Sequence, residues 1–500
     1  MSANNLVNVI FGMKVRQARL EAELSLVEFA ARCDLSPSYL TEIEKGRKYP
    51  KADKIMKMAG ALGKEYDDLV SIKLGPSLNY LETILSAPLL RQFPYEEFGL
   101  EIGSLLNLFT RVPDKAGALF HAILEIGRQY NMKEEHFLRA VLRSYQEIHD
   151  NYFQDLEDAA AKFAEQYGLH GEPPIAASSL EQIITQTFGY ELDDTQLARQ
   201  PLLANYRSVY IAGAQPKLLL NAAFSPTQIK FLLARELGYQ FLNIKNRANT
   251  SAPDKVDDSF QQVLNDFKAS YFAGALLMPR SLILADLQEL FQHSAWSPYR
   301  LQRMLDRYDV TPEMLFYRFS ELIPQFFGLK LHFLRFQNAD DDYRLVKQLN
   351  MSNLLLPHGI NRLEHHCRRW LSVRLLKEMA AQPAATPGHN ALLVKAQISE
   401  FLDSRDRFLE IGFARPLSLS PDVASSVVIG FRTDQDLKNT IQFVEDPALP
   451  AIIINQTCER CPLSEQQCAV RAAPPVILAE EKRKAEREMA LKQLRASMQG

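Results

Sequence analysis

The chain of 500 residues carries 57 Lys and Arg against 60 Asp and Glu, a formal net charge of −3, with 47% hydrophobic and 23% charged residues. That length predicts several domains and that composition builds real cores, which excludes wholesale disorder and fibrous classes. No apolar run approaches the ~20 residues that span a bilayer, the N-terminus has no signal-peptide pattern, and near-neutrality confines any nucleic-acid site to a local patch, so a cytoplasmic protein with no membrane partner is expected.

Residues 1–72 read as short helices separated by tight turns. Ser25-Leu-Val-Glu28 has the spacing of a capping box, so a helix should begin near Leu26. Asp34-Leu35 turns the chain. Ser36-Pro37 then offers a capping serine followed by proline at the first helical position, and Gly46 ends that helix. Leu40 and Ile43 should face Phe29, Ala30 and Cys33 in a core. The face left over carries Ser38, Thr41, Glu42 and Lys45, a short polar surface of the kind that enters a major groove. Lys45, Arg47, Lys48 and Lys51 follow where phosphates would lie, and Arg16 and Arg19 add charge from the first helix. Charge alone would not have announced this: residues 1–75 hold 12 Lys and Arg against 10 Asp and Glu.

Residues 73–172 form a helical stretch expected to link or to dimerise, with Leu105, Phe109, Phe120 and Leu124 at helical spacing. Gly171-Glu-Pro-Pro174 marks a boundary. Residues 173–330 mix short strand-like runs, Ser208–Ile211 and Lys217–Asn221, with two longer helices. One helix should start at Ser225-Pro-Thr-Gln228, another capping box. Ser297 to Leu315 reads as helix, turn, helix. It is either a hairpin completing this domain or, less favoured, a second helix-turn-helix. Residues 331–478 are richer in strand signals: Leu331–Phe336, Val427–Phe431, Ile441–Val444 and Ala451–Ile454. Residues 479–500 form a charged helical tail.

Five cysteines are present: Cys33, Cys367, Cys458, Cys461 and Cys468. The last three make a C-x2-C-x6-C run. In a reducing compartment clustered cysteines read as metal ligands before disulfides. Three thiolates do not close a tetrahedral site or a fully cysteine-ligated cluster, so Cys367 is the candidate fourth, with His365 and His366 as rivals. Cys33 reads as a small core residue.

These residues carry three resemblances. The head resembles the Xre-type helix-turn-helix family over residues 9–70, through Phe11–Arg19, the Ser36-Pro-Ser-Tyr-Leu-Thr-Glu-Ile-Glu-Lys-Gly46 run and Pro50. That implies five helices and double-stranded DNA as partner. By position, Pro37, Ser38, Thr41 and Glu42 would read bases, Lys45 and Arg47 would hold phosphates, and Ser36 and Tyr39 belong to the same motif. Leu26 stands where many relatives place a phosphate-binding Gln. The stretch 175–295 is similar to the ImmA/IrrE-type metallopeptidases, through the Ser225–Leu242 helix and Asn265–Pro279. That family carries His-Glu-x-x-His, yet here the run is Arg235-Glu236-Leu237-Gly238-Tyr239, and the acidic ligand position falls near Asp266 or Lys268. Both histidines are gone and arginine cannot ligate zinc. A pseudoenzyme with no catalytic residues is expected, with Glu236 pairing with Arg235 or another cation.

The whole architecture resembles the short-chain fatty acyl-CoA regulators (ScfR family), through His366–Trp370, Glu410–Phe413, Val428–Phe431 and the cysteine run with Arg471–Pro475. The resemblance implies a transcription factor for short-chain acyl-CoA or carboxylate metabolism, an acyl-CoA-type ligand, a homodimer, and a 4Fe–4S cluster, with zinc as the alternative, on Cys367, Cys458, Cys461 and Cys468. The fold expected is mainly α and multidomain: a five-helix head, a helical middle, an α+β peptidase-like domain and an α+β C-terminal domain. The rival readings are an active metallopeptidase that cleaves a repressor and a zinc-stabilised protein–protein adaptor.

Overall fold

The computed structural model describes residues 3–71, 93–100, 134–251, 259–339, 342–356, 364–382 and 392–499. They fall in two compact units, one within 1–145 and 257–263, the other within 146–256 and 264–500. The positions Leu105, Phe109, Phe120 and Leu124 lie outside the described residues. Among the described residues helices predominate, and both β-sheets lie after residue 190.

In the first unit five helices follow the local signals: α1 (Ala3–Glu21), α2 (Leu26–Arg32), α3 (Pro37–Glu44), α4 (Ala52–Leu62) and α5 (Tyr66–Val70). Ser25 Oγ accepts the Glu28 N–H at 3.2 Å, and the Glu28 carboxylate accepts the Ser25 N–H at 2.9 Å. Ser36 Oγ accepts the Tyr39 N–H at 3.2 Å. Each cap supplies an acceptor for an N–H that has no partner within its helix. Phe11, Phe29, Cys33, Leu40, Ile43 and Met58 fill the core. At the crossing of α1 and α3 a Cβ on Gly12 would come within 2.2 Å of the Ile43 carbonyl oxygen. Glycine is therefore a packing requirement there.

The second unit begins with the C-terminal end of α6 (Glu134–Ile148), then α7 (Gln154–Gln166) and α8 (Ala177–Gln182). Four short strands, β1 (Glu191–Asp193), β2 (Ser208–Ile211), β3 (Lys217–Leu220) and β4 (Thr250–Ser251), make a sheet of order β1-β3-β2-β4. Helix α9 (Pro226–Phe241) starts at the Ser225–Gln228 capping box. Helix α10 (Phe260–Leu277) packs close to it: a Cβ on Gly238 would meet Phe272 at 2.9 Å.

Helices α11 (Arg280–Gln292), α12 (Pro298–Tyr308) and α13 (Pro312–Phe327) follow. The α12–α13 pair is a hairpin within the core, because Leu315, Phe316, Phe319, Leu322 and Ile323 of α13 are buried. A helix whose apolar face and central Arg318 are enclosed cannot lie in a DNA groove, so the second helix-turn-helix reading falls. Arg318 donates to Glu157 at 2.6 and 2.9 Å and to Glu321 at 2.9 Å.

The C-terminal sheet comprises β5 (Leu331–Ala339), β6 (Asp342–Asn350), β7 (Leu393–Phe401), β8 (Arg407–Pro416), β9 (Ala424–Arg432) and β10 (Ala451–Ile454), in the order β10-β7-β8-β9-β5-β6. All neighbours are antiparallel except β10 and β7. Helix α14 (Leu371–Ala381) covers one face with Leu371, Leu375 and Leu376. Helix α13 covers the other, with Phe316 4.7 Å from Phe413. Burial on both faces explains the nearly continuous apolar runs of β8 and β9.

Ile441–Val444, expected as a strand, is instead a 3-10 turn (Gln442–Glu445) after α15 (Gln435–Thr440). Asp434 caps α15 through the Leu437 N–H at 2.9 Å. Phe443 is then delivered to the core beside Trp296. A four-residue apolar run does not distinguish a strand from a buried turn. The chain ends in an exposed helix, α16 (Val476–Gln499). Among the described residues no helix is long and apolar enough to cross a membrane.

Candidate functional site

Helix α3 buries Leu40 and Ile43 and leaves Pro37 and Ser38 exposed, with Thr41, Glu42 and Lys45 partly so. The Thr41 hydroxyl donates to the Pro37 carbonyl at 2.8 Å. Arg47 and Glu42 form an ion pair at 3.2 Å. Tyr39 is half-buried and lies under the ammonium groups of Lys54, 4.3 Å from the ring centre, and Lys48, 5.6 Å away. Its ring is thus a platform that holds two cations beside the helix.

Arg19 does not serve as expected. It forms a buried pair with Glu44, Nε to Oε1 at 2.6 Å and Nη2 to Oε2 at 3.0 Å, and a further bond to the Leu24 carbonyl. It joins α1 to α3 instead of facing phosphate. Cys33 is fully buried, and burial pushes its thiol up to about 11, which suits a core residue.

In the peptidase-like region, Glu236 of α9 is buried, but its partner is Arg247 rather than Arg235. The Arg247 guanidinium forks onto both carboxylate oxygens, one contact at 2.6 Å. The Tyr190 hydroxyl donates to Glu236 at 2.7 Å and accepts from the Gln240 amide. The same guanidinium lies 3.8 Å from the ring centre of Tyr239 and 4.2 Å from that of Tyr210. Burial works against the Arg247 cation, and the hydrogen bonds and charge of Glu236 more than offset it. The Tyr239 hydroxyl, at the second missing histidine position, donates to Asp266. Burial, with Asp266 adding, raises the Tyr239 phenol.

An IrrE-like fold implies zinc, and these residues do not fit it. A permanent cation sits against the would-be general base, and phenol and carboxylate satisfy each other. Sequence reasoning missed Arg247 because nothing local marks a loop arginine eleven positions after its partner.

At the C-terminal end, the strand-like bridge between His366 and Thr457 brings the cysteine segments together. The Cys367 N–H donates to the Gln456 carbonyl at 3.1 Å, and the Cys458 N–H to the His365 carbonyl at 3.0 Å. All four cysteines are buried and free. Burial pushes the Cys367 thiol up to about 11, with Cys458 and Cys461 acting the same way. Cys461 is raised by burial and by Cys468 and Cys458. Among the described residues no three His, Cys, Asp or Glu side chains are drawn together closely enough to hold a metal. The donor chemistry, four buried thiols with no disulfide, suits a thiophilic metal or cluster.

Of the rival histidines His365 is hydrogen-bonded elsewhere, whereas the buried His366 Nδ1 has no hydrogen-bond partner among the described residues. His365 Nδ1 is 2.7 Å from Glu459, and His366 packs between Phe336 and Trp370. Beside the cysteines lies a groove of ≈ 650 Å³ lined by Arg368, Arg369, Arg374, Lys377, Ile452 and Ile453.

Comparison with known proteins agrees with this layout. Residues 15–69 match the helix-turn-helix family model, and residues 196–320 match the IrrE N-terminal-like domain. The chain is 39% identical over 67 residues to control protein C.BamHI of Bacillus amyloliquefaciens, covering 13% of this chain and 83% of that protein. It is 23% identical over 344 residues to a propionyl-CoA carboxylase regulator of Cereibacter sphaeroides, covering 66% of this chain and 68% of that one. A Mycobacterium tuberculosis transcriptional regulator of known structure superposes with TM-score 0.46 at 18% identity, over 66% of this chain and 93% of that one. The protein is a DNA-binding transcriptional regulator with an Xre-type helix-turn-helix head joined to an IrrE-like domain, and its likeness to the propionyl-CoA carboxylase regulator supports the ScfR-like family.

Proposed function

We propose that this regulator is a cytoplasmic homodimer that controls short-chain acyl-CoA or carboxylate metabolism in response to an acyl-CoA-type ligand. In this reading Pro37, Ser38, Thr41 and Glu42 read base edges, and Lys45 and Arg47 hold phosphates. Two heads would meet half-sites about one DNA turn apart. The domain order proposed is head (1–72), helical dimerisation region (73–172), pseudo-peptidase (173–330), cysteine domain (331–478) and tail (479–500). The likeness to a propionyl-CoA carboxylase regulator supports the metabolic assignment.

The peptidase-like domain is a scaffold without protease activity. The observation that carries this is the Glu236–Arg247 pair, which occupies the would-be base. A 4Fe–4S cluster, or zinc, would be held by Cys367, Cys458, Cys461 and Cys468, and such a group supplies redox or structural chemistry. The four buried thiols support that assignment.

Ligand binding changes DNA affinity by favouring one arrangement of the dimer over another. The test is a mobility-shift titration of the full chain on its operator, with and without short-chain acyl-CoAs. A several-fold change in affinity is expected. DNA binding that ignores every acyl-CoA and is unaltered by metal loss overturns the coupling.

A further inference from the structure

Helices α11 and α12 each turn one stripe of side chains toward a shared cavity of ≈ 200 Å³. On α11 the stripe is Asp286, Leu290 and His293, the last being the residue that ends the helix. On α12 it is Arg300, Arg303, Met304 and Arg307. Both follow the three- and four-residue steps that keep side chains on one face of a helix.

The cavity is unlike at its two ends. At one, Arg307 pairs with Asp286, and the Tyr308 hydroxyl donates to Asp286 at 2.6 Å. Arg307 also lies 3.6 Å from Glu172. These charges are settled among themselves. At the other, His293 and Arg300 flank the short connection between the helices. Arg300 Nε and His293 Nε2 are buried atoms with no hydrogen-bond partner. Glu289, an exposed lining residue, stands 3.9 Å from His293 Nε2, beyond hydrogen-bond length. Among the described residues no ion pair or side-chain hydrogen bond engages Arg300 or Arg303.

A buried donor without an acceptor is unfavourable until one arrives, and an ion or small ligand is one such acceptor. Three lining arginines against two lining carboxylates leave one positive charge over. That balance selects a monoanion. A water's share of the liquid is about 30 Å³, so the cavity suits roughly six or seven non-hydrogen atoms, far fewer than a nucleotide or coenzyme carries. Between the two ends Leu290 and Met304, both part of the buried core, offer an apolar wall. A guanidinium fork matches the two oxygens of a carboxylate.

We propose that this cavity binds a small monocarboxylate of about four carbons. Its carboxylate lies on Arg300 and Arg303 and its apolar tail against Leu290 and Met304. The inference goes beyond the acyl-CoA reading and does not depend on it. The groove beside the cysteines is a different place, and there Arg369 and Arg374 already bond a backbone carbonyl and Gln397.

The experiment is saturation-transfer NMR on the full chain with butyrate. Butyramide is the uncharged isostere, and orthophosphate is added as a competitor that has no apolar part. Arg303→Gln changes an exposed residue, so folding is preserved; Arg300→Gln is the second variant. Each is expected to weaken butyrate binding about tenfold, the worth of one charge-assisted bond. A Lys482→Gln/Arg483→Gln control on the exposed α16 should bind as the wild type does. Butyramide bound as well as butyrate overturns the recognition of charge. Orthophosphate that displaces butyrate at equal concentration overturns the carboxylate assignment. Butyrate binding that both arginine variants leave intact places the ligand elsewhere and overturns the site. A wild type that takes up no butyrate leaves the cavity to water and ends the inference. None of these outcomes touches the mobility shift with acyl-CoAs, which judges the broader reading separately.

Discussion

Arg247 holds Glu236 by both carboxylate oxygens and lays its guanidinium 3.8 Å from the ring centre of Tyr239. One loop arginine thus engages two positions of a former metal motif at once. Breaking a buried pair strands the remaining charge, so Arg247→Ala should destabilise the second unit by about 3–5 kcal/mol. A melt followed by circular dichroism checks this. Restoring histidines alone, as Arg235→His/Tyr239→His, should bind no zinc by elemental analysis. Zinc uptake by that double variant would show that Arg247 does not block the site.

Gly12→Ala is a test of the head. Its new methyl would meet the Ile43 carbonyl, a backbone atom that cannot swing aside. Overpacking of this kind costs about 1–3 kcal/mol. Thermal melting should fall and operator affinity with it, whereas Gly60→Ala, where nothing lies within 4 Å, should be neutral or stabilising.

Lys45→Ala should weaken binding to operator and to unrelated DNA alike, and should reduce the slope of log affinity against log salt by about 1. Ser38→Ala should leave the slope unchanged and alter base preference. Affinity titrations at several salt concentrations separate the two. A Ser38 variant with the wild-type base preference would remove that residue from the readout.

Glu321 makes a pH prediction. Burial pushes its carboxyl up to about 8, against the opposing pull of Arg318, with Glu157 adding to the rise. The folded state therefore keeps a proton that the unfolded state releases near the ordinary value of 4.5. Its contribution to stability is complete below the unfolded value. It is lost as pH rises toward the folded one, by up to about 1.4 kcal/mol per pH unit. Tyr271 and Tyr317 also face this cluster, and burial raises both phenols so that they stay protonated across that window, whereas burial lowers Lys347 to about 7. Glu321→Gln should flatten the fall in stability between pH 5 and 8, as read from unfolding curves at each pH.

Anaerobically purified protein should carry metal, and Cys458→Ser or Cys367→Ser should each lower its content severalfold. Sulfide analysis and absorbance near ~400 nm distinguish a cluster from zinc. Unchanged metal content in Cys367→Ser would remove that residue from the ligand set.

Much of this molecule was legible in local order. The capping pairs Ser25–Glu28 and Ser225–Gln228 start their helices, and Ser36-Pro37 opens α3, because a cap and its N–H lie within one turn. The loss of two histidines at Arg235 and Tyr239 was readable for the same reason: motif spacing is a property of one helix. What only the tertiary structure decided are pairings between distant segments. Arg19 turned inward to Glu44, Arg247 closed on Glu236, and Arg335 and Lys347 became cross-strand partners. Long cationic side chains look alike in a sequence whether they meet solvent, carboxylate or one another, since their partner is set by which backbones approach. The turn at Ile441–Val444 went the same way: four apolar residues satisfy strand and buried turn equally, and the core beside Trp296 selected the turn.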